Sequence, residues 1–206
     1  MYARTTTVRG NPGAIDEATA YMRDQVMPEV QQMEGCVGLS MLADRDSGRC
    51  IVTSAWETEE AMRATMDRVG PMRDEASRIL GGQPEVQGWE IAVLHRAHQA
   101  PDGACTRVTW SRADPSNVER VVDAYKMSLL PRLEEMDGFC SASLMMDRRE
   151  GRGAGAVTYA DRATMERSRT NATAVREEFA AAMGAQILEV AEFELVLHHL
   201  RVPETV

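Results

Sequence analysis

The sequence predicts an α+β fold built twice: two tandem modules of β-α-β-β-α-β order whose sheets pack on each other inside one chain. Three observations lead there. Offset by 103 positions, the chain matches itself, so that Met33-Glu34-Gly35 meets Met136-Asp137-Gly138, and Asp44-Arg45-Asp46-Ser47-Gly48-Arg49 meets Asp147-Arg148-Arg149-Glu150-Gly151-Arg152. Near the end the offset becomes 104, where Trp89-Glu90-Ile91-Ala92-Val93-Leu94-His95 meets Phe193-Glu194-Leu195-Val196-Leu197-His198-His199. A fixed internal period with one indel means one supersecondary unit used twice. Within each copy, strand-type and helix-type segments then alternate in the same order.

The first strand is Ala3 to Val8, matched by Thr106 to Ser111, and its β-branched residues suit a pleated, half-buried surface. Gly10-Asn11-Pro12-Gly13 and Asp114-Pro115-Ser116 open the first helix, with proline near its first turn. That helix covers about Ala14 to Met33 and Asn117 to Met136. Pro28 and Pro131 fall inside it, which predicts a kink or break in both copies. Gly35 and Gly138 follow as C-terminal caps. Strand two is Val37 to Leu42 or Ser141 to Met146, and the Asp-Arg-x-x-Gly-Arg segment is a polar hairpin turn. Strand three is Cys50 to Trp56, matched by Ala154 to Tyr159. The second helix opens at Thr58-Glu59-Glu60, with acids at the positive end of its dipole, and runs to Leu80; in copy two it spans Asp161 to Met183. Strand four is Val86 to Leu94 and Val190 to Leu197. This places the first module at 1–98, a linker at 99–103, the second module at 104–201 and a loose tail at 202–206. The order is the split βαβ, ferredoxin-like arrangement with both helices on one sheet face.

The formal net charge of −9 argues against a nucleic-acid or anionic-membrane surface, which needs clustered Lys and Arg. Cys36, Cys50, Cys105 and Cys140 lack metal or redox spacing and do not recur between copies, so reduced thiols in a cytoplasmic protein are expected. No leader or long apolar run suggests export or a membrane span.

The run Met27-Pro28, Met33-Glu34-Gly35-Cys36, Gly38, followed by Asp44-Arg45-Asp46-Ser47-Gly48 and Ser54-Ala55-Trp56-Glu57-Thr58-Glu59-Glu60-Ala61-Met62, resembles the antibiotic-biosynthesis-monooxygenase family. The match is fainter in copy two, where Tyr159-Ala160-Asp161-Arg162-Ala163 occupies the Trp-Glu position. The resemblance implies the dimeric-type α/β barrel, here formed within one chain as in tandem actinobacterial members. It also implies a small hydrophobic or aromatic ligand, and monooxygenase-like chemistry without a cofactor if there is chemistry at all. The alternative is a non-catalytic ligand-binding or stress-related oligomer, assembled through sheet edges or helix faces. Fold likeness does not choose between them.

The haem-degrading branch of the superfamily is disfavoured. Its strand-one Asn, helix Trp and His positions hold about Ala3, Thr65 and Asp74 in copy one, and about Thr106, Ser168 and Glu177 in copy two. The four histidines, His95, His98, His198 and His199, lie at strand four or the linker and form no metal set. No metal and no cofactor are therefore expected, and no catalytic residue can be named. Glu90 and Glu194 suit arginine pairing better than the role of a buried base.

The candidate ligand-binding residues are Arg4, Thr6, Trp56 and Arg73, with their counterparts Arg107, Thr109, Tyr159 and Arg176. Arginine beside hydroxyls suits an anionic or carbonyl-bearing aromatic ligand. Pairing of the same arginines with neighbouring acids stays open, as does ordinary core packing for Met41, Met62, Met66 and Met72. Trp56 against Tyr159, and the small residues Gly153-Ala154-Gly155-Ala156, predict two unequal cavities, one of them vestigial.

Overall fold

A computed structural model of the chain describes residues 1–200; Arg201 and the expected tail at 202–206 lie outside the described residues. Eight strands carry the fold: β1 (Tyr2–Arg9), β2 (Cys36–Asp44), β3 (Arg49–Trp56), β4 (Pro84–Arg96), β5 (Cys105–Arg112), β6 (Phe139–Asp147), β7 (Arg152–Tyr159) and β8 (Gln186–Leu200). Hydrogen-bonded neighbours run β1-β3-β2-β8-β5-β7-β6-β4 in a closed, barrel-type order. The α+β class and the α/β-barrel strand order expected from the sequence are both present.

The described residues divide into two compact units, 1–89 with 194–200, and 90–193. The boundaries fall inside β4 and β8, at the repeat-equivalent positions Trp89 and Phe193. Each unit is thus completed by the end of the other copy's fourth strand. In the first unit β2 pairs antiparallel with β8, from Ala43 opposite Glu194 to Gly38 opposite Leu200. In the second unit β6 pairs with β4, Met146 opposite Glu90 and Ser141 opposite Arg96. Serving two sheets explains why these strands extend beyond the expected Val86–Leu94 and Val190–Leu197.

Both helices of each copy are interrupted. The first is α1 (Ile15–Tyr21), a π-turn over Met22–Val26, then α2 (Met27–Gln31); the second copy has α5 (Val118–Ala124), a π-turn over Tyr125–Leu129 and α6 (Leu130–Glu134). Pro28 and Pro131 explain the wide turns: a proline has no N–H and its ring crowds the carbonyl four residues back. A single π-turn absorbs both problems without breaking the rod. The second helix splits into α3 (Glu59–Ala64) and α4 (Met66–Leu80), and in copy two into α7 (Arg162–Arg167) and α8 (Arg169–Met183). The split falls at Thr65 and Ser168, whose hydroxyls donate to the carbonyls of Met62 and Met165, each at 2.8 Å. Such back-bonding competes with the helix's own ladder. Thr58 caps α3 through its hydroxyl, which accepts from the Ala61 amide at 3.0 Å, while Asp161 and Thr164 form a reciprocal capping box on α7.

The β2–β3 and β6–β7 turns need glycine. Gly48 and Gly151 have φ of 72° and 63°, and a Cβ on either would lie 2.1 Å from the carbonyl oxygen of Gly10 or Ala113. Each unit has its own core between sheet and helices. Ile15, Val30, Leu39, Met41 and Trp56 centre the first; Tyr125, Leu133, Phe139, Tyr159 and Met165 centre the second.

Candidate functional site

Each unit holds a cavity between its helices and the sheet. Arg4 and Thr6 project from β1 into the first cavity, which also takes Ser54 from β3 and Arg73 from α4. Arg107 and Thr109 from β5 enter the second, with Tyr159 from β7 and Arg176 from α8. Alternation along a strand puts residues i and i+2 on one face, so the Arg-x-Thr spacing delivers both side chains together. Seven of the eight residues singled out from the sequence meet at these cavities. Trp56 does not: it is fully buried beside the first cavity, and its indole N–H donates to Ser54 Oγ at 3.0 Å.

The empty space, counted to the open mouth, is about 710 Å³ in the first cavity and about 840 Å³ in the second. The two are unequal, as expected, but neither is vestigial. Tyr125 stands where the first copy has Met22, and Gly155 where it has Val52. A Cβ on Gly155 would meet the Tyr125 ring at 4.0 Å, so a larger helix residue occupies the room the strand gave up. The remaining lining is mostly aliphatic, with Met22, Met41 and Met72 in the first cavity. Met62 is buried outside it, and Met66 is exposed.

The two strand arginines are anchored alike. Arg4 Nη1 donates to Thr65 Oγ1 at 3.3 Å, and Nη2 donates to the Met62 carbonyl. Arg107 Nη1 donates to Ser168 Oγ at 3.4 Å, and Nη2 to the Met165 carbonyl at 2.8 Å. The helix break after α3 or α7 thus presents a free carbonyl and a hydroxyl to a buried guanidinium. Thr65 and Ser168 stand at the positions where the haem-degrading branch has its Trp, and here they hold arginine. This role was not read from the sequence, although the Thr/Ser pair at matching positions was visible there.

The counter-charge differs between the units. Glu192 Oε1 lies 3.0 Å from Arg107 Nε and 2.9 Å from Nη2. The guanidinium also sits 5.5 Å over the Tyr159 ring, whose hydroxyl accepts from Nη1 at 3.4 Å. Position 192 corresponds to Gly88 and Tyr159 to Trp56, so Arg4 has neither partner. Among the described residues no carboxylate pairs with Arg4, and its pKa is lowered, first by burial and then by the nearby charge of Arg73. Arg176 is likewise lowered, by burial and then by Arg107, and its buried Nε has no hydrogen-bond partner among the described residues. Arg73 Nε lies 3.4 Å from the exposed Asp74.

Among the described residues neither cavity is lined by a carboxylate or an imidazole. Glu90 and Glu194 are instead paired with arginine: Arg148 Nη2 donates to Glu90 Oε1 at 2.9 Å, and Arg45 Nε to Glu194 Oε2 at 2.7 Å. The Arg148 hydrogen bond holds Glu90 below the usual carboxylate range, the reverse of what a general base needs. His95 contacts Glu134 and stacks on Phe139, with ring centroids 6.3 Å apart. Among the described residues no three His, Cys, Asp or Glu side chains gather as a metal site. Among the described residues Cys36, Cys50, Cys105 and Cys140 form no disulfide, and burial pushes the Cys50 thiol up to about 11. No described helix is long and apolar enough to cross a membrane.

Comparison with known proteins agrees with this architecture. Residues 1–68 match the family model described as antibiotic biosynthesis monooxygenase. An uncharacterised protein of Mycobacterium tuberculosis is 47% identical over 206 residues, covering 100% of this chain and 92% of its own. Among solved structures, a protein of Lactobacillus acidophilus named as a monooxygenase superposes with a TM-score of 0.69 at 10% identity, over 97% of this chain and 96% of that one. An anthrone oxidase-like protein gives 0.64 at 12% identity, over 99% and 95%. The fold defines a double ferredoxin-like protein of the α/β-barrel type. The chain belongs to the antibiotic-biosynthesis-monooxygenase family, with that mycobacterial protein as a full-length relative.

Proposed function

We propose that this is a monooxygenase-type protein that holds a small hydrophobic or aromatic molecule in its helix-covered cavities. The observation that supports it is a repeated one: an apolar cavity with a buried strand arginine, a threonine two residues on, and a second arginine from the long helix. Apolar walls with a few convergent polar groups are the general form of a small-molecule site. The lining offers positive charge and hydroxyls but no base. Such a site suits a substrate that loses its own proton readily and is held as an oxyanion by arginine. Dioxygen would then exchange the two hydrogens of an activated ring methylene for one carbonyl oxygen, the second oxygen leaving as water.

The absence of a lining base equally favours a second reading, a binding protein without turnover. Oxygen uptake with anthrone, which carries such a methylene, separates the two. Consumption matched by quinone formation, and lost in Arg4→Gln or Arg107→Gln, supports the oxygenase. Binding of anthrone without oxygen uptake supports the carrier. Homo-oligomerisation is part of the same proposal; because every strand has neighbours on both sides, helix faces rather than sheet edges would carry it.

A further inference from the structure

We propose that the first cavity selects an apolar molecule bearing one carboxylate, and that Glu192 withholds this capacity from the second cavity. The inference rests on the reading of both cavities as small-molecule sites and adds what distinguishes them.

The argument is one of uncompensated charge. Arg4 is 6% exposed and lines the first cavity. Its two hydrogen-bond acceptors, Thr65 Oγ1 and the Met62 carbonyl, are neutral. Arg73 lines the same cavity from α4, and Asp74, its contact, is a mainly solvent-exposed side chain. Two guanidinium groups therefore face one apolar space with no buried carboxylate between them. A buried charge without a partner is costly, and a ligand that supplies the partner recovers that cost on binding. A carboxylate matches a guanidinium edge with two parallel hydrogen bonds. Arg4 Nε has no hydrogen-bond partner among the described residues and belongs to such an edge.

The second unit shows the same arginine with its charge already met. Glu192 holds the Nε and Nη2 edge of Arg107, so a ligand carboxylate would have to compete with a resident one. Among the described residues the second cavity thus has a shielded acid on one of its two arginines, whereas in the first Arg4 has none and Arg73 reaches only the exposed Asp74. The difference comes down to Gly88 facing Glu192 in the internal alignment. A Cβ on Gly88 would meet only Met62 Cε, at 3.6 Å, an ordinary contact. The missing acid can thus be supplied by substitution, and Met62 is the residue whose carbonyl already holds Arg4.

The test is calorimetric titration with 2-naphthoate and 2-naphthol, which share a ring body and differ in charge at neutral pH. Wild-type protein, Gly88→Glu, Glu192→Gln and Arg4→Gln are compared, each checked for a native circular dichroism spectrum. Wild type is expected to bind one naphthoate per chain, about tenfold or more tighter than naphthol. Gly88→Glu keeps Arg4 in place and should remove that preference while still binding naphthol. Glu192→Gln should raise the naphthoate stoichiometry to two. Equal affinity of wild type for both probes, or naphthoate binding unchanged by Gly88→Glu, overturns the charge selection and leaves the cavity reading intact. An unchanged stoichiometry in Glu192→Gln overturns the role given to that residue. Failure of both probes to bind overturns the cavity reading as well.

Discussion

Arg107 and Glu192 meet through one carboxylate oxygen, 3.0 Å from Nε and 2.9 Å from Nη2, on the inner side of the second unit. Glu192 is held from outside too, its other oxygen lying 2.8 Å from Arg169 Nη2. The pair joins β5 to β8 and fixes the guanidinium that lines the cavity. With side-chain exposures of 5% and 19%, this pair is shielded enough for loss of one partner to matter. Glu192→Ala should cost about 2–3 kcal/mol in urea unfolding, because it strands a buried arginine. Breaking an exposed pair such as Arg23 with Asp24 should leave the unfolding midpoint essentially unmoved. Equal costs for the two substitutions would show that the Arg107 charge is not buried in solution.

Thr65 ties three things together: the end of α3, the Met62 carbonyl and the Arg4 guanidinium. Thr65→Val keeps the shape and removes the hydroxyl. It should cost about 1–2 kcal/mol, since a buried donor then loses its acceptor. Ser168→Ala should cost less, because Arg107 retains Glu192, the Met165 carbonyl and Tyr159. Thermal melts of the two variants check the order; a larger loss for Ser168→Ala would contradict it.

Much of this architecture was legible in the sequence because the chain carries its own comparison. The repeat placed all eight strands, and the Arg-x-Thr spacing in β1 and β5 placed four of the cavity residues. What it hid has physical reasons. Glu192 and Gly88 differ between copies, so matching positions, which drew attention to Arg4 and Arg107, drew it away from the acid that separates them. The helix breaks at Thr65 and Ser168 depend on a guanidinium arriving from a strand about sixty positions away. Periodicity, a local signal, does not register that. Trp56 was expected among the ligand-binding residues, yet its ring packs as core. The small strand residues did not announce that both cavities would persist, because Tyr125 fills room beside Gly155 from the helix layer.

Gly48 and Gly151 offer a test of the turn geometry that the repeat conserves within the chain. Alanine at either position would need a left-handed backbone and would drive its Cβ to 2.1 Å from a carbonyl oxygen. Strain and clash together should cost about 2–4 kcal/mol in each case. Gly81, with φ of 75° but nothing within 4 Å of a Cβ, is the control and should cost about 1 kcal/mol as alanine. A similar drop in melting temperature at all three would mean that the close approach of Gly10 to Gly48 is absent in solution.

Glu90 gives the pH dependence its sign. Its pKa in the folded chain lies below the ordinary value of 4.5, first because Arg148 donates a hydrogen bond to it and then through the charge of Arg148. A depressed carboxylate contributes stability that is fully present above the unfolded-state value and is lost as pH falls through the folded one. Glu90→Gln should therefore cost about 1 kcal/mol at neutral pH, after allowance for partial solvent screening. That cost should shrink as pH drops below the unfolded value, until wild type and variant unfold at the same urea concentration once pH lies below the folded value as well, where both are uncharged at this position. A difference that persists unchanged into acid would assign the effect to packing of the Glu90 side chain rather than to its charge.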